Sequence, residues 1–345
     1  MEKKLITIAE KLLKDLYGLK KGETLIITAD TWSDMEVVEA VQAAASEQNI
    51  QWMTALIKAP GGVAAAAEPE MPGESIAAML CHADAWAEFN KMWIYGSPTY
   101  IKIMENNPKM RHMCLTGATG DLLTNCIGGI DYQKLQIFGN RLAEKIGHAK
   151  KMRMTSEKGM DITFSNLSER PVLKELGHAE RPGTNMLPGQ IAWTPDIESV
   201  NGTLVFDGAL APVCGVPKNP VKLVVEAGVV REITGGGEAE AYRKWLESFE
   251  HPQMFGISHT GIGINPGAKL SGDILQDQRV WGSVTWAVGS IGGNLVPPSG
   301  VAGPSHSDCV SLEATIWIDG EEIFRNGKII DEELKSLAAG LEEAS

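Results

Sequence analysis

Two histidines in the C-terminal half sit in settings unlike ordinary protein core, Ile257-Ser258-His259-Thr260-Gly261 and Pro304-Ser305-His306-Ser307-Asp308. The second is an H-x-D. On an extended backbone, residues i and i+2 project from one face, so His306 and Asp308 can present an imidazole nitrogen and a carboxylate oxygen to one ion. A distant histidine, His259, completes a set of two imidazoles and one carboxylate. Such a set fills one face of an octahedron and leaves three positions open, the arrangement with which non-haem Fe(II) oxygenases hold substrate and O2 side by side. Fe(II) suits it best, and Zn, Co or Mn also accept these donors. H-x-D also arises by chance, and a lone histidine is more often a hydrogen-bonded core residue or a surface group, so the motif alone leaves both readings open.

The remaining histidines, His82, His112, His148, His178 and His251, lack a carboxylate at metal-ligand spacing and read as structural or exposed. Glu198 and Asp207 flank the turn-rich segment Ser199-Val200-Asn201-Gly202-Thr203, where a carboxylate either orients substrate or ligands from behind, or is simply solvated. The glycine pairs and triplets Gly261-Ile262-Gly263, Gly292-Gly293-Asn294 and Gly235-Gly236-Gly237 do not form a phosphate loop. No G-x-x-x-x-G-K-[ST] occurs, and no G-x-G-x-x-G follows the first strand, so they read as turns.

The elements that must position these groups change character along the chain. Leu5, Ile8, Ala9, Leu12, Leu13 and Leu16 trace one helical face that stops at Gly18. The apolar run Thr24-Leu25-Ile26-Ile27-Thr28 follows as a strand, and Ser33-Asp34-Met35-Glu36 is a capping box that opens the next helix. Extended segments near 51–57, 84–89 and 111–116 then alternate with helical ones near 73–82, 98–106 and 130–147, which predicts an α/β unit with a mostly parallel sheet over residues 1–150. The stretch 61–67 reads as a flexible loop of small residues. After the basic connector 148–153, short strands and Gly turns dominate. Val221–Glu226 with Val229–Ile233 across Ala227-Gly228, and Trp317-Ile318 with Glu321–Ile323 across Asp319-Gly320, are hairpins. Residues 151–345 therefore form a mixed α+β domain rich in antiparallel strands, and this is the domain that carries the metal set.

At 345 residues and 43% hydrophobic content, the chain can bury two cores without staples. The five cysteines are scattered, with no C-x-x-C, which fits a reducing compartment. The N-terminus lacks the apolar core of a signal peptide, and no stretch approaches the ~18 apolar residues of a membrane span, so a cytoplasmic protein with no membrane contact is expected. A net charge of −13 repels phosphate backbones and argues against nucleic acid as a partner.

Several segments carry a resemblance. Asn185-Met186-Leu187-Pro188-Gly189, Glu198-Ser199-Val200-Asn201-Gly202-Thr203, Gly261-Ile262-Gly263-Ile264-Asn265 and His306-Ser307-Asp308 are similar to C-terminal landmarks of the thermophilic metallo-aminopeptidase family, aminopeptidases T and S. Within that superfamily the closer likeness is to the 2,5-dihydroxypyridine 5,6-dioxygenase branch, through Phe255-Gly256-Ile257-Ser258-His259. The resemblance implies an Fe(II) triad at His259, His306 and Asp308, a small-molecule substrate with O2, and a homo-oligomer.

Departures from each branch bear on the chemistry. Where the aminopeptidases carry a glutamate ligand this chain has His259; where they have Asp-Glu-Lys it has Asp277-Gln278-Arg279; and where they have a histidine ligand it has Thr285. A bridged pair of divalent ions would lack the anionic ligands that offset their repulsion, whereas one ion remains sensible. The dioxygenase branch has a histidine just before a Ser-Pro, where this chain has Gly96-Ser97-Pro98, and another near Asn185. The expected activity is ring cleavage of a hydroxylated aromatic or N-heteroaromatic by a mononuclear Fe(II) dioxygenase, with Trp193 and Trp286 as candidate walls for a flat ring. The alternative is an aminopeptidase-type hydrolase in which a metal-activated water attacks an amide.

Overall fold

The computed structural model describes residues 3–341. The chain divides into two compact units, Met1–Gly129 with Gly177–Pro188, and Ile130–Leu176 with Gly189–Ser345. The connector 148–153 thus falls inside the second unit, whose first helix begins before it. The segment 177–188 returns to the first unit.

In the first unit five strands lie in the order Gln51–Ile57, Thr24–Asp30, Ala85–Glu88, Arg111–Cys114, Gly183–Met186. Every neighbouring pair is parallel. The reason is visible in the sequence: Leu25, Ile26 and Ile27 are consecutive and all buried, as a strand covered on both faces requires. The helix Met35–Glu47 opens as expected, but its N-cap is Asp34, which accepts from the Glu36 backbone, and not the Ser33 of the capping box, whose hydroxyl donates to the Phe89 carbonyl. The small-residue stretch expected as a loop instead runs into a 3-10 helix, Ala64–Glu70, with Ala67 fully buried. Of its four alanines only Ala67 is buried, and Ala65 and Ala66 stay exposed, so a single methyl group anchors this turn to the core.

The second unit holds two antiparallel sheets. One runs in the order Val229–Thr234, Val221–Glu226, Asn201–Phe206, Asp161–Ser165, Lys151–Thr155, Thr315–Ile318, Glu321–Arg325, Lys328–Ile329. Both expected hairpins are present in it, and their turns put Ala227, Gly228, Asp319 and Gly320 at positive φ, as a type I′ geometry demands. The other sheet runs Ala209–Leu210, Val301–Ser311, Val284–Ile291, Ile257–Gly263, Gln190–Trp193, Val172–Glu175. The long helix Tyr132–His148 is tied to the last helix, Glu332–Ala338, by ion pairs from Arg141 to Glu333 and from Lys145 to Asp331 and Glu333. Among the described residues no helix is long and apolar enough to cross a membrane.

Gly189 marks one place where the backbone dictates the residue. Its φ is +117°, and a Cβ there would lie 2.3 Å from the Asn265 Cβ, while its N–H donates to Glu175 and its carbonyl accepts from Ile264. Only glycine fits so close an approach between strands.

Candidate metal centre

The six-stranded sheet of the second unit supplies all three expected ligands from two of its strands, with a third strand between them. Asp308 is directly opposite Ala287, and His306 is opposite Gly289. On the far side of this central strand, Thr260 pairs with Trp286, and the register slips between Ile257 and Thr260. The bulge re-aims His259, one residue before Thr260, so that it meets Asp308 across the central strand. The crossing is possible because the residue beneath it is alanine. Gly289 serves the same end: its φ is +102° and a Cβ would lie 2.4 Å from the Ser305 carbonyl, beside His306.

The resulting cluster is compact. The His259 Nε2 and the His306 Nε2 each lie 3.3 Å from the same Asp308 oxygen, Oδ1, and the two imidazole rings stack 5.2 Å apart and 6° from parallel. One donor atom from each residue falls within 4.8 Å of the others, and this is the only group of that kind among the described residues. Donors held about 2.1 Å from one ion at right angles are about 3 Å apart, so the spacing suits a single ion. The other ring nitrogens face outward to fixed partners. The His306 Nδ1–H donates to the Ser290 carbonyl at 2.8 Å, which leaves Nε2 with its lone pair toward the ion site. The same carbonyl accepts from the Ser258 hydroxyl, which lies 3.5 Å from the His259 Nδ1. The His259, Asp308 and His306 side chains are 11%, 21% and 34% exposed, so the cluster opens to solvent on the His306 side.

Without an ion, charges in the cluster are strongly linked. Burial pushes the His259 imidazole down to about 4, against the pull of Asp308, so it is neutral at physiological pH. Burial opposes ionisation of Asp308 as well, yet the His306, His259 and Arg279 charges outweigh it and hold the carboxyl down at about 2. For His306 burial again works downward, and the Asp308 carboxylate together with the Ser290 carbonyl turns the balance upward.

Two residues in this electrostatic neighbourhood were missed by the sequence reasoning, Arg279 and Glu175. The Arg279 side chain is 1% exposed; it donates to the Leu275 carbonyl, to the Gln278 amide oxygen and to the Glu175 carboxylate. Glu175 is raised by burial, with Arg279 pulling it down and Asp308 pushing it up. A signal existed for Arg279, since it sits in the Asp277-Gln278-Arg279 segment that departs from Asp-Glu-Lys. Nothing in the sequence marks Glu175. At the other departures, the Thr285 hydroxyl accepts from the Gln190 amide at 3.2 Å, and Asp277 spends its carboxylate on Ser271 and Gly272.

The other candidates lie elsewhere. Trp193 and Trp286 pair through Thr260 in the row that also contains Cys309, which alternates with the Asp308 row. Alternation sends both indoles to the opposite face, where Phe164 packs near both rings and Trp193 donates to Asn166. They are core on this geometry, and the ring-stacking role assigned to them is not served by their position. Glu198 is exposed on the short helix Ile197–Ser199, and Asp207 accepts from the Leu312 backbone. In the first unit His112 is fully buried, stacked on Trp86, with Nε2 3.0 Å from Glu88 and Nδ1 3.0 Å from Thr184. Gly96 has φ +79°, a conformation that strains any side chain placed there.

The role of Ala287 is testable without touching a ligand. A leucine there is expected to cost about 1–3 kcal/mol of overpacking beneath the crossing side chains, which lowers metal affinity about ten- to a hundredfold. Metal analysis of purified Ala287→Leu, with circular dichroism to confirm folding, checks this; full metal content would show that the small residue is not required.

Comparison with known proteins places these observations in context. Residues 4–331 match the family described as NicX, 2,5-dihydroxypyridine 5,6-dioxygenase. A curated relative, the 2,5-dihydroxypyridine 5,6-dioxygenase of Pseudomonas putida KT2440, is 28% identical over 199 residues, covering 53% of this chain and 55% of that protein. The aligned part thus spans about half the length of the curated relative. The solved structure of 2,5-dihydroxypyridine dioxygenase from Pseudomonas putida KT2440 superimposes with a TM-score of 0.78 at 20% identity, covering 96% of this chain and 98% of that one. Wild-type AmpT from Thermus thermophilus gives a TM-score of 0.64 at 13% identity, covering 95% and 99%. At these identities the two structures share the fold with this chain.

Proposed function

Because the chain belongs to the 2,5-dihydroxypyridine 5,6-dioxygenase family, we propose that it is a mononuclear Fe(II) dioxygenase that opens a hydroxylated aromatic or N-heteroaromatic ring. The observation that carries the reading is the convergence of His259, His306 and Asp308 on one point with a solvent-open side. The donor set fits: two neutral imidazole nitrogens and one carboxylate, with His306 held in the required tautomer by Ser290. When bound, the ion would supply a Lewis-acidic, redox-active centre at which a hydroxyaromatic and O2 are brought together.

The chain's own residues do the rest. Asp308 is the single anionic ligand, so the loaded site keeps a net positive charge that suits a deprotonated ring hydroxyl. Arg279, held by Glu175, adds to that positive balance, since its charge helps to keep Asp308 ionised. Ser258 and Ser290 fix the imidazoles from behind, so ligand geometry need not be reorganised when substrate arrives. The neutral Gln278 and Thr285, both engaged in hydrogen bonds, support one ion over two. That count separates this reading from the aminopeptidase-type hydrolase.

The test is metal analysis of anaerobically purified protein, followed by O2-electrode screening with hydroxypyridines and catechols. Iron with substrate-dependent O2 uptake is the expected result. Zinc or cobalt with release of an amine from peptide amides would return the enzyme to the hydrolases. Within the panel, 2,5-dihydroxypyridine is expected to be a poor substrate, because Gly96 replaces a histidine of that branch. Efficient turnover of that compound would show that the histidine is dispensable.

A further inference from the structure

A second side chain crosses a strand on the metal face of the six-stranded sheet. Gln190 extends over Gly261 and donates from Nε2 to the Thr285 hydroxyl at 3.2 Å, across the intervening strand Ile257–Gly263. Gly261 permits the crossing, because a Cβ there would lie 2.8 Å from that nitrogen. The register puts this amide on the same side as the ligands. Ala192 is opposite Gly261, Gly261 is opposite Thr285, and Ala287, two positions beyond Thr285, is opposite Asp308. Opposite residues share a face, as do residues two apart, so Gln190, Thr285 and Asp308 all project from it. Two residues of strand span about 6.5 Å, comparable to the breadth of a six-membered ring with its substituents. Gln190 is 3% exposed, and beyond the Thr285 contact its amide makes no hydrogen bond among the described residues. Its nitrogen is committed, and its oxygen is left as a fixed acceptor without a donor.

We propose that Gln190 reads the edge of the substrate ring opposite the oxygens that meet the ion, and selects rings that carry an N–H or O–H donor there. The inference rests on the single-ion reading above. Nearly enclosed polar groups are normally paired, so an unpaired acceptor beside the ion site calls for a donor that arrives with the ligand. A ring whose far edge is bare hydrocarbon would cover the amide oxygen and leave it unpaired, and that loss is the discrimination. Thr285 acts through Gln190. Its hydroxyl holds the amide in place, so the acceptor need not be ordered when the ring arrives.

Two matched probes test it: 3-hydroxy-4-pyridone, whose ring N–H lies opposite a chelating oxygen, and catechol, which chelates in the same way and has only C–H there. Both are titrated calorimetrically into the full chain loaded with zinc, which binds these donors without redox turnover. Gln190→Leu is expected to weaken pyridone binding about ten- to a hundredfold and catechol binding by less than about threefold, at unchanged zinc content. Thr285→Val, with Gln190 intact, is expected to move the same ratio in the same direction by less, and it decides the matter if Gln190→Leu does not fold. Equal weakening of the two probes in Gln190→Leu, as a merely structural role would give, overturns the proposal. So does unchanged pyridone binding in that variant, an unchanged ratio in Thr285→Val, or an unmodified protein that takes up zinc and binds neither probe. The dioxygenase reading fails separately: a Gln190-dependent pyridone preference without substrate-dependent O2 uptake by the iron-loaded protein would remove that reading and support the Gln190 assignment.

Discussion

His306→Ala is expected to strip the protein of its metal and, with it, all ring-cleaving turnover, while Asp277→Ala retains both in its soluble fraction. His306 supplies one of only three protein donors, and its Nε2 lies 3.3 Å from the Asp308 oxygen that the ion would share. Losing an outer-shell partner already costs about 10–100-fold in metal affinity, so losing a direct ligand drives occupancy below detection. His259→Ala and Asp308→Ala are expected to behave alike. Asp277 is the fitting control because it is buried and acidic, yet its oxygens are committed to Ser271 and Gly272. Metal content measured per folded chain decides the matter, and equal content in His306→Ala and Asp277→Ala would dissolve the assignment.

Calorimetric titration of the metal-free protein is expected to give one tight divalent site per chain, even with excess metal. A second ion would have to sit ~3.5–4 Å from the first. The space around Asp308 already contains a fixed positive charge: Arg279 lowers the Asp308 pKa and is itself locked to Glu175. Restoring aminopeptidase-type donors through His259→Glu, Gln278→Glu and Thr285→His is therefore expected to create a second site only when Arg279 is also changed to Met. Arg279→Met alone leaves Glu175 without its buried partner and is expected to destabilise the protein by about 3–5 kcal/mol, measurable by denaturant unfolding. Two comparably tight sites in the unmodified protein, both abolished by His306→Ala, would sink the mononuclear reading.

How far the sequence could be read depended on how local each feature is. H-x-D is legible because the two-residue period of a strand places His306 and Asp308 on one face whatever the neighbours do. The alternation of apolar runs and amphipathic helices likewise exposes the parallel sheet of the first unit, and Asp319-Gly320 exposes its hairpin. His259 needed more than spacing. It reaches Asp308 from two strands away, and only a bulge sets its direction. The same dependence on register misplaced the tryptophans: Trp286 is adjacent in sequence to Ala287, and that single step moves it to the opposite face. Glu175 stands in an unremarkable Lys-Glu-Leu run and acquires meaning only through a guanidinium 104 positions away. His112 seemed to lack a carboxylate for the same reason, since Glu88 reaches it from the neighbouring parallel strand.

The fifth strand of the parallel sheet, Gly183–Met186, has a consequence for how the chain must be made. It is the segment that supplies Thr184 to His112 and Tyr100, yet it lies downstream of a long excursion into the second unit. During synthesis the first four strands emerge early and wait, with the His112 strand serving as a raw edge, until residue 186 has left the ribosome. Closing that pairing joins Arg111 to Gly183 across the whole of the intervening excursion and carries the loop entropy of so distant a contact. A gene fragment cut at the apparent boundary near residue 150 would deliver a sheet with both edges open and its buried histidine short of a partner. The two units are thus interleaved in time as well as in sequence, and neither is a cassette that recombination could move alone.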